Sequence, residues 1–264
     1  MVSALPRTGA CAAAALRILT YNVHGCRGTD GRLSPERIAA VIAEARPDVV
    51  ALQELDAERA RSGGLDQAHA IARGLGMRFH FHAALRVEEE RYGDAVLSAL
   101  PLRLVRAGPL PGQLPREPRG ALWVAVDLGA GTELQVINTH LGLLGRERLA
   151  QADALLGEGW LGHPDCRGRP AVLLGDFNAV PGSRAYRRLA GRLRDAQGSA
   201  APPGHRPRPT FPARWPVLRI DHVFLGGEVE AMEVKVLRGP LERVASDHLP
   251  LAVDIAVARG ASGR

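Results

Sequence analysis

The sequence predicts an α/β (α+β) fold in which two mixed β-sheets pack face to face with helices outside. Three observations carry that reading. Nine short apolar runs, many rich in Val, Ile and Leu, read as buried strands. Helical patterns separate some of these runs but not others, so strand and helix do not alternate regularly. The stretch "DLGAGT", residues 127–132, places Gly129 and Gly131 at turn positions between two runs and so marks a hairpin.

In chain order the runs are Leu16–Tyr21, Val49–Gln53, Ala95–Ala99, Ala121–Leu128, Leu134–Thr139, Ala171–Gly175, Ile220–Leu225, Val229–Leu237 and Leu249–Val257. The first helix is the best specified. Ser34 is its N-cap, Pro35 sits at N1, Ile38, Val41 and Ile42 recur at helical spacing, and Pro47 stops it. Asp66–Gly74, Arg146–Leu156 and a short segment around Ser183–Leu189 are the other helices. Two stretches rich in Pro and Arg, residues 107–120 and 198–216, read as loops. Loops of that length inside a compact domain are often functional.

A chain of 264 residues, 46% of them hydrophobic, can build a substantial core, and no polar linker divides it. One domain over residues 1–264 is expected, with a core at about 16–257 and flexible tails at 1–15 and 258–264. No run reaches the roughly 20 apolar residues of a membrane span. The apolar piece Ala10–Leu16 is mostly Ala, short and weak for a secretion signal. Cys11, Cys26 and Cys166 form no close pair and no CxxC. A reduced, cytoplasmic protein is therefore expected, and a monomer is the default. The net charge of +6 fits an anionic partner, but Lys235 is the single lysine among 34 basic residues, so a bias toward Arg gives the same picture.

The informative pattern is a recurrence at strand ends. "ILTYNVHG" ends on Asn22 and His24, "DVVALQEL" on Gln53 and Glu54, and "LQVINTHLG" on Asn138, Thr139 and His140. "AVLLGDFN" ends on Asp176 and Asn178, "LRIDHVFL" carries Asp221 and His222, and "RVASDHLPL" gives Ser246, Asp247 and His248. Any one of these reads as a cap or a turn. Six together, with complementary chemistry, point to a common crevice at one set of strand ends, where ligands bind. Glu54, Asp176 and Asp247, with the amide oxygens of Asn22 and Asn178, are hard donors suited to Mg2+ or Mn2+. His140 and His248 can donate to a phosphoryl oxygen or relay a proton, and Asp221 can orient one of them. No Ser or Cys occupies a nucleophile elbow, which favours direct attack by water on a metal-bound phosphate ester.

"TYNVHG", "LQE", "NTHL", "GDFN", "IDHVF" and "SDHLP", in that order, resemble the endonuclease/exonuclease/phosphatase superfamily over about Leu16 to Val257. The resemblance implies a four-layer helix–sheet–sheet–helix sandwich and a divalent-metal-dependent hydrolase of phosphoric esters. It implies that Glu54 is the principal metal ligand, with Asn22 near the metal or the water and Asp247 helping to hold metal. Asp176 and Asn178 are then the pair that positions and activates the nucleophile, His248 the contact to the scissile phosphate, and Asp221 its acidic partner. His140 matches a histidine that stabilises phosphate or serves the leaving group. Arg119 resembles a phosphate-contacting arginine. "RYGDAVLS" is similar to a family segment with Asn where Asp94 stands, so Asp94 either faces elsewhere or touches metal. His24 and His222 fit the rim, and His69, His80, His82, His163 and His205 the ordinary surface.

The shared core does not choose a substrate. The compact length and the segment "SPERIAAVIAEARPDVVALQELD" look most like small bacterial metal-dependent hydrolases of the superfamily, some of which act on phospholipid or sphingolipid headgroups. A phospholipid or small phosphorylated molecule is the expected substrate, with the Trp215 loop in peripheral contact with a membrane. The alternative is a DNA or RNA nuclease, for which Arg-rich loops would hold the backbone; only Phe211 and Trp215 offer stacking rings in the 198–216 loop. A non-catalytic binding protein on the same fold should have lost Glu54, Asp176 or His248, and all three are present.

Overall fold

The computed structural model describes residues 13–112 and 115–258. Its elements, in chain order, are β1 (Ala14–Asn22), α1 (Pro35–Ala45), β2 (Val49–Ala57), α2 (Gln67–Leu75), β3 (Arg78–Val87), β4 (Glu90–Ser98), β5 (Leu102–Pro109), β6 (Gly120–Asp127), β7 (Glu133–His140), α3 (Gly145–Leu156), β8 (Ala171–Asp176), α4 (Arg184–Ala190), β9 (Arg194–Asp195), β10 (Asp221–Gly226), β11 (Val229–Val236), α5 (Glu242–Ala245) and β12 (Leu251–Val257). The strands form two six-stranded sheets, ordered β11-β12-β1-β2-β4-β3 and β5-β6-β7-β8-β10-β9. Each is mixed. β1 runs parallel to β2 and β7 parallel to β8, and the other pairs are antiparallel. A parallel pair needs a crossover, which α1 supplies in the first sheet and α3 in the second.

Three apolar layers separate four structural ones. α1 and α2 bury Ile38, Val41, Ile42 and Ile71 against the outer face of the first sheet. α3 and α4 bury Leu155 and Leu189 against the outer face of the second. Between the sheets lies a third cluster, built from Ile18, Val49 and Val253 on one side and Val136, Val172, Leu174 and Val223 on the other. The expected sandwich is observed.

That middle layer positions the site. A strand shows alternate residues to alternate faces. The inward face of β1 reads Ile18, Thr20, Asn22, and that of β2 reads Val49, Ala51, Gln53. β7 reads Val136, Asn138, His140, and β8 reads Val172, Leu174, Asp176. Each inner row is dry for most of its length and turns polar at one edge of the sandwich. Just beneath that edge, Gln53 Nε2 donates to Asn138 Oδ1 at 2.7 Å, and Asn138 Nδ2 donates to the carbonyls of Leu52 and Ala95 at 2.9 and 2.8 Å. Both amides are fully buried. They join the two sheets.

The structure adds three strands to those expected, β3, β5 and β9, and each is a sheet edge. An edge strand is half solvated, so β3 and β5 carry no continuous apolar run. The loop expected at 107–120 starts as strand, since Ala107–Pro109 pair with Leu122–Gly120. The tails expected at 1–15 and 258–264 lie mostly outside the described residues, but Ala14 and Ala15 already pair with Val257 and Ala256. The Asn138→Ala variant would take from Gln53 its 2.7 Å acceptor and from the Leu52 and Ala95 carbonyls their Asn138 donor. At roughly 1–3 kcal/mol for a buried group left unpaired, we expect a loss of about 3 kcal/mol, read as a lower midpoint in urea denaturation.

Candidate active site

Register brings the polar strand ends together. Asn22 lies beside Gln53 in the first sheet, and in the second Asp176 lies between His140 and Asp221. Gly175 makes the last step of β8 practicable. Its φ is +143°, and a side chain there would collide with the backbone of Thr139.

Glu54 reaches the site through a bulge. Between β2 and β4 the register shifts so that Gln53 and Glu54 together face the single residue Asp94. Glu54 takes a left-handed conformation, φ 62°. A bulge re-aims a side chain, and here it swings Glu54 away from simple alternation and into the cleft. Asp94 is buried opposite Gln53 and Glu54, near Arg119 and Asp176. Burial, with Glu54 nearby, pushes its carboxyl up to about 8, against the opposing pull of Arg119.

Asp176 is the hub. Its Oδ1 accepts from the Asn178 backbone at 2.8 Å and its Oδ2 from Asn22 Nδ2 at 3.0 Å. The same Asn22 nitrogen donates to Glu54 Oε1 at 2.8 Å, while Asn22 Oδ1 accepts from the His24 backbone at 3.0 Å. Two carboxylates on one side and an N–H on the other fix the orientation of the amide. Asn22 thus braces Glu54 against Asp176 through its nitrogen, while its oxygen accepts from the His24 backbone. Asn178, with φ 48°, donates through Nδ2 to Leu141 O at 2.9 Å. Phe177 between them packs into the outer core against Phe224 and His222. Burial pushes the Asp176 carboxyl upward, with Asp221 adding to the shift and His248 opposing it.

Two histidines flank the hub in opposite states. His140 Nε2 lies 3.5 Å from Asp176 Oδ2 and 3.9 Å from Glu54 Oε1. Burial, with the charges of Arg119 and His248, holds its ring neutral. Two donor nitrogens face this ring: Arg119 Nη1 lies 3.0 Å from Nδ1 and Asn178 Nδ2 lies 3.1 Å from Nε2. His248 Nδ1 sits 3.0 Å from Asp221 Oδ2, and its Nε2 is 3.6 Å from Asp176 Oδ2. Burial works against its charge, but Asp221 and Asp176 outweigh it and raise the imidazolium to about 10. Thr210 Oγ1 donates to Asp221 and holds that acid in place. Asp247 stands apart from this group and pairs with His24 Nδ1 at 2.9 Å.

Glu54, Arg119, His140, Asp176, Asn178 and His248 line a cleft of about 760 Å³. Glu54, His140 and Asp176 each offer one donor atom, all within 4.8 Å of one another, as do Asp176, Asp221 and His248. The sequence profile of the Endonuclease/Exonuclease/phosphatase family matches residues 19–248. The chain belongs to that family. Family members hydrolyse phosphate esters. The chain is also similar to the uncharacterized protein YbhP of Escherichia coli strain K12, 28% identical over 257 residues, 90% of this chain and 95% of that one. An endonuclease/exonuclease/phosphatase from Beutenbergia cavernae DSM 12333 superposes with a TM-score of 0.72 at 26% identity, covering 94% of this chain and 73% of the other. The Bacteroides thetaiotaomicron VPI-5482 mannosyl-6-phosphatase Bt3783 shares the fold, with a TM-score of 0.71 at 20% identity, covering 91% and 99%.

Of the family residues expected here, Glu54, Arg119, His140, Asp176, Asn178, Asp247 and His248 all border the cleft, and Asp221 lies behind His248. His222 is no rim residue. It is buried among Phe177, Tyr186 and Phe224, donates through Nε2 to Ala179 O, and is pushed down to about 4 by burial. His82, expected at the surface, packs its ring against Gly120. Sequence reasoning missed Tyr92 and Arg148, which also line the cleft. Alternation was the available signal for Tyr92, since Tyr92, Asp94 and Val96 share a face of β4.

The His248–Asp221 pair sets a pH dependence. An imidazole raised from 6.5 to about 10 contributes stability that is full below about 6.5 and is lost as pH rises through about 10. The stability gap between the wild type and Asp221→Asn is therefore expected to be wider at about pH 6.5 than at any higher pH and to shrink steadily from there to about 10, measured by urea denaturation across pH. A gap independent of pH would contradict the pairing.

Proposed function

We propose that this protein is a divalent-metal-dependent phosphoesterase, using Mg2+ or Mn2+ and direct water attack on the phosphodiester or phosphomonoester of a phospholipid headgroup or small phosphorylated molecule. One observation carries the reading: Glu54, His140 and Asp176 converge within 4.8 Å beside the Asp221–His248 pair. The donor set fits such a cation. Two carboxylates supply hard oxygens, and the buried acids Asp94 and Asp176, both raised by burial, favour a positive charge between them. Glu54 and Asp176 would hold the ion, with His140 Nε2 beside them. When bound, it polarises the phosphoryl group and lowers the pKa of water.

The chain's own residues divide the remaining work. Asp176 orients the attacking water and accepts its proton, fixed by the Asn178 amide on one oxygen and Asn22 on the other. Asn178 holds water and phosphate in line. His248, charged through Asp221, presents Nε2–H to a phosphoryl oxygen, and His140 stands on the opposite side of Asp176, where it stabilises the departing group. Arg119 keeps a buried Nε–H without a partner, a donor suited to a phosphate oxygen. The free, buried thiols of Cys26 and Cys166 are in keeping with a cytoplasmic compartment.

With Mg2+ or Mn2+ the protein is expected to hydrolyse a chromogenic phosphodiester such as bis(p-nitrophenyl) phosphate. Glu54→Ala and His248→Ala should each lower kcat by roughly 100-fold or more. Full activity in both variants would sink the assignment. Chelation should abolish turnover and either cation restore it.

A nuclease is the second reading, favoured by one observation, the exposed ring of Trp215. A panel of plasmid DNA, RNA, phospholipids and inositol phosphates separates the two. Turnover of lipid or small phosphates without plasmid or RNA cleavage is the expected result, and catalytic plasmid cleavage would replace the first reading with the second.

A further inference from the structure

Ten large apolar side chains are exposed among the described residues, and six of them, Leu143, Leu144, Val180, Trp215, Val217 and Leu218, stand on three loops at the mouth of the cleft. The other four are scattered over separate elements. Leu143, Val180 and Leu218 line the cleft directly. Trp215 is 81% exposed and Val217 74%, at the tip of a turn whose base is bridged by Phe211 and Leu218. Single exposed apolar residues are ordinary, but a concentration at one functional opening marks an interaction surface.

The turn is not a loose loop. Trp215 N donates to Pro212 O at 3.1 Å and Val217 N to Phe211 O at 2.9 Å within it. Ala213 N donates to Asp247 O at 2.6 Å, and Arg243 Nη1 to Arg214 O at 2.8 Å, which tie it to the segment carrying the site. At its base the Phe211 ring lies 4.8 Å from that of His248. The fold thus holds an apolar tip in water, at a fixed place relative to a catalytic imidazole. Arg214 on this turn, and Arg146 and Arg184 in the first turns of α3 and α4 that follow the other two loops, are exposed.

We propose that this rim docks on an anionic lipid bilayer, with the cleft facing the headgroups. An indole on a rigid tip suits the boundary between headgroup and acyl chain, and flanking aliphatic residues gain by leaving water there. Arginines at the same level pair with lipid phosphates and favour an anionic leaflet. Leu143, Val180 and Val217 have no complement on a nucleic acid, whose backbone is met by charged and polar groups. Docking would bring a lipid headgroup ester to the cleft, a consequence that rests on the phosphoesterase reading; the surface itself does not.

Trp123 and Trp160 are buried, so Trp215 is the solvent-exposed fluorophore among the three tryptophans. Vesicles of phosphatidylcholine containing phosphatidylglycerol should shift the emission to the blue and sediment the protein, with weaker effects for pure phosphatidylcholine or at high salt. A Trp215→Ala, Val217→Ser double variant should lose sedimentation by roughly 10-fold or more while hydrolysing the soluble chromogenic diester at the wild-type rate. Glu54→Ala should sediment like the wild type, so loss of the activity reading and loss of docking are told apart. No blue shift with anionic vesicles, equal sedimentation of the double variant, or a shift with single-stranded DNA and not with vesicles would each overturn the proposal.

Discussion

Two buried amides, Gln53 and Asn138, set the distance between the sheets at the edge where the chemistry is expected. Each sheet alone presents half a site: Asn22, Glu54 and Asp94 on one, His140, Asp176 and Asp221 on the other. Hydrophobic packing holds the sheets together but is non-directional and tolerates sliding. The 2.7 Å bond from Gln53 to Asn138 and the two from Asn138 to strand carbonyls are directional. In a dry layer such bonds cannot be exchanged for water, so they specify one register. The bonds from Asn22 to Glu54 and Asp176 cross the same gap and depend on it.

The site gathers carboxyl groups around few cations. Glu54, Asp94, Asp176 and Asp221 lie about Arg119 and the His248 imidazolium, and burial raises Asp94 and Asp176 toward their neutral forms. The two histidines show how this is organised. His248 meets carboxylates on both nitrogens and is held charged, while His140 meets a guanidinium and is held neutral. One residue type thus supplies a cation and a neutral ring about the same carboxylate, through its partners alone.

Most of the inner strands and the site were legible in the sequence because buried strands leave continuous apolar runs and their polar ends break those runs sharply. Helix α1 was legible because Ser34 accepts from Arg37 N as an N-cap should and Pro35 begins the helix. β3, β5 and β9 were not, because an edge strand half open to solvent has no such signature. The position of Asp94 was hidden for another reason. Only a register shift between β2 and β4 sets it opposite both Gln53 and Glu54, and a bulge leaves no mark in residue order. The orientation of Asn22 is likewise a property of its partners, not of its identity.

The alternation along the inner strands has a consequence for how such a protein can diverge. Asp176 faces the cleft because it lies an even number of residues from Val172 and Leu174. Adding or deleting one residue within β8 would reverse the parity and send the carboxylate into the outer layer beside Phe177. The segment from 198 to 207, ahead of the residues that hold Asp221 and flank His248, is under no such parity rule, and its length can drift while the strand ends keep count. Lineages built on this frame are therefore free to change what they touch far more readily than what they do to it.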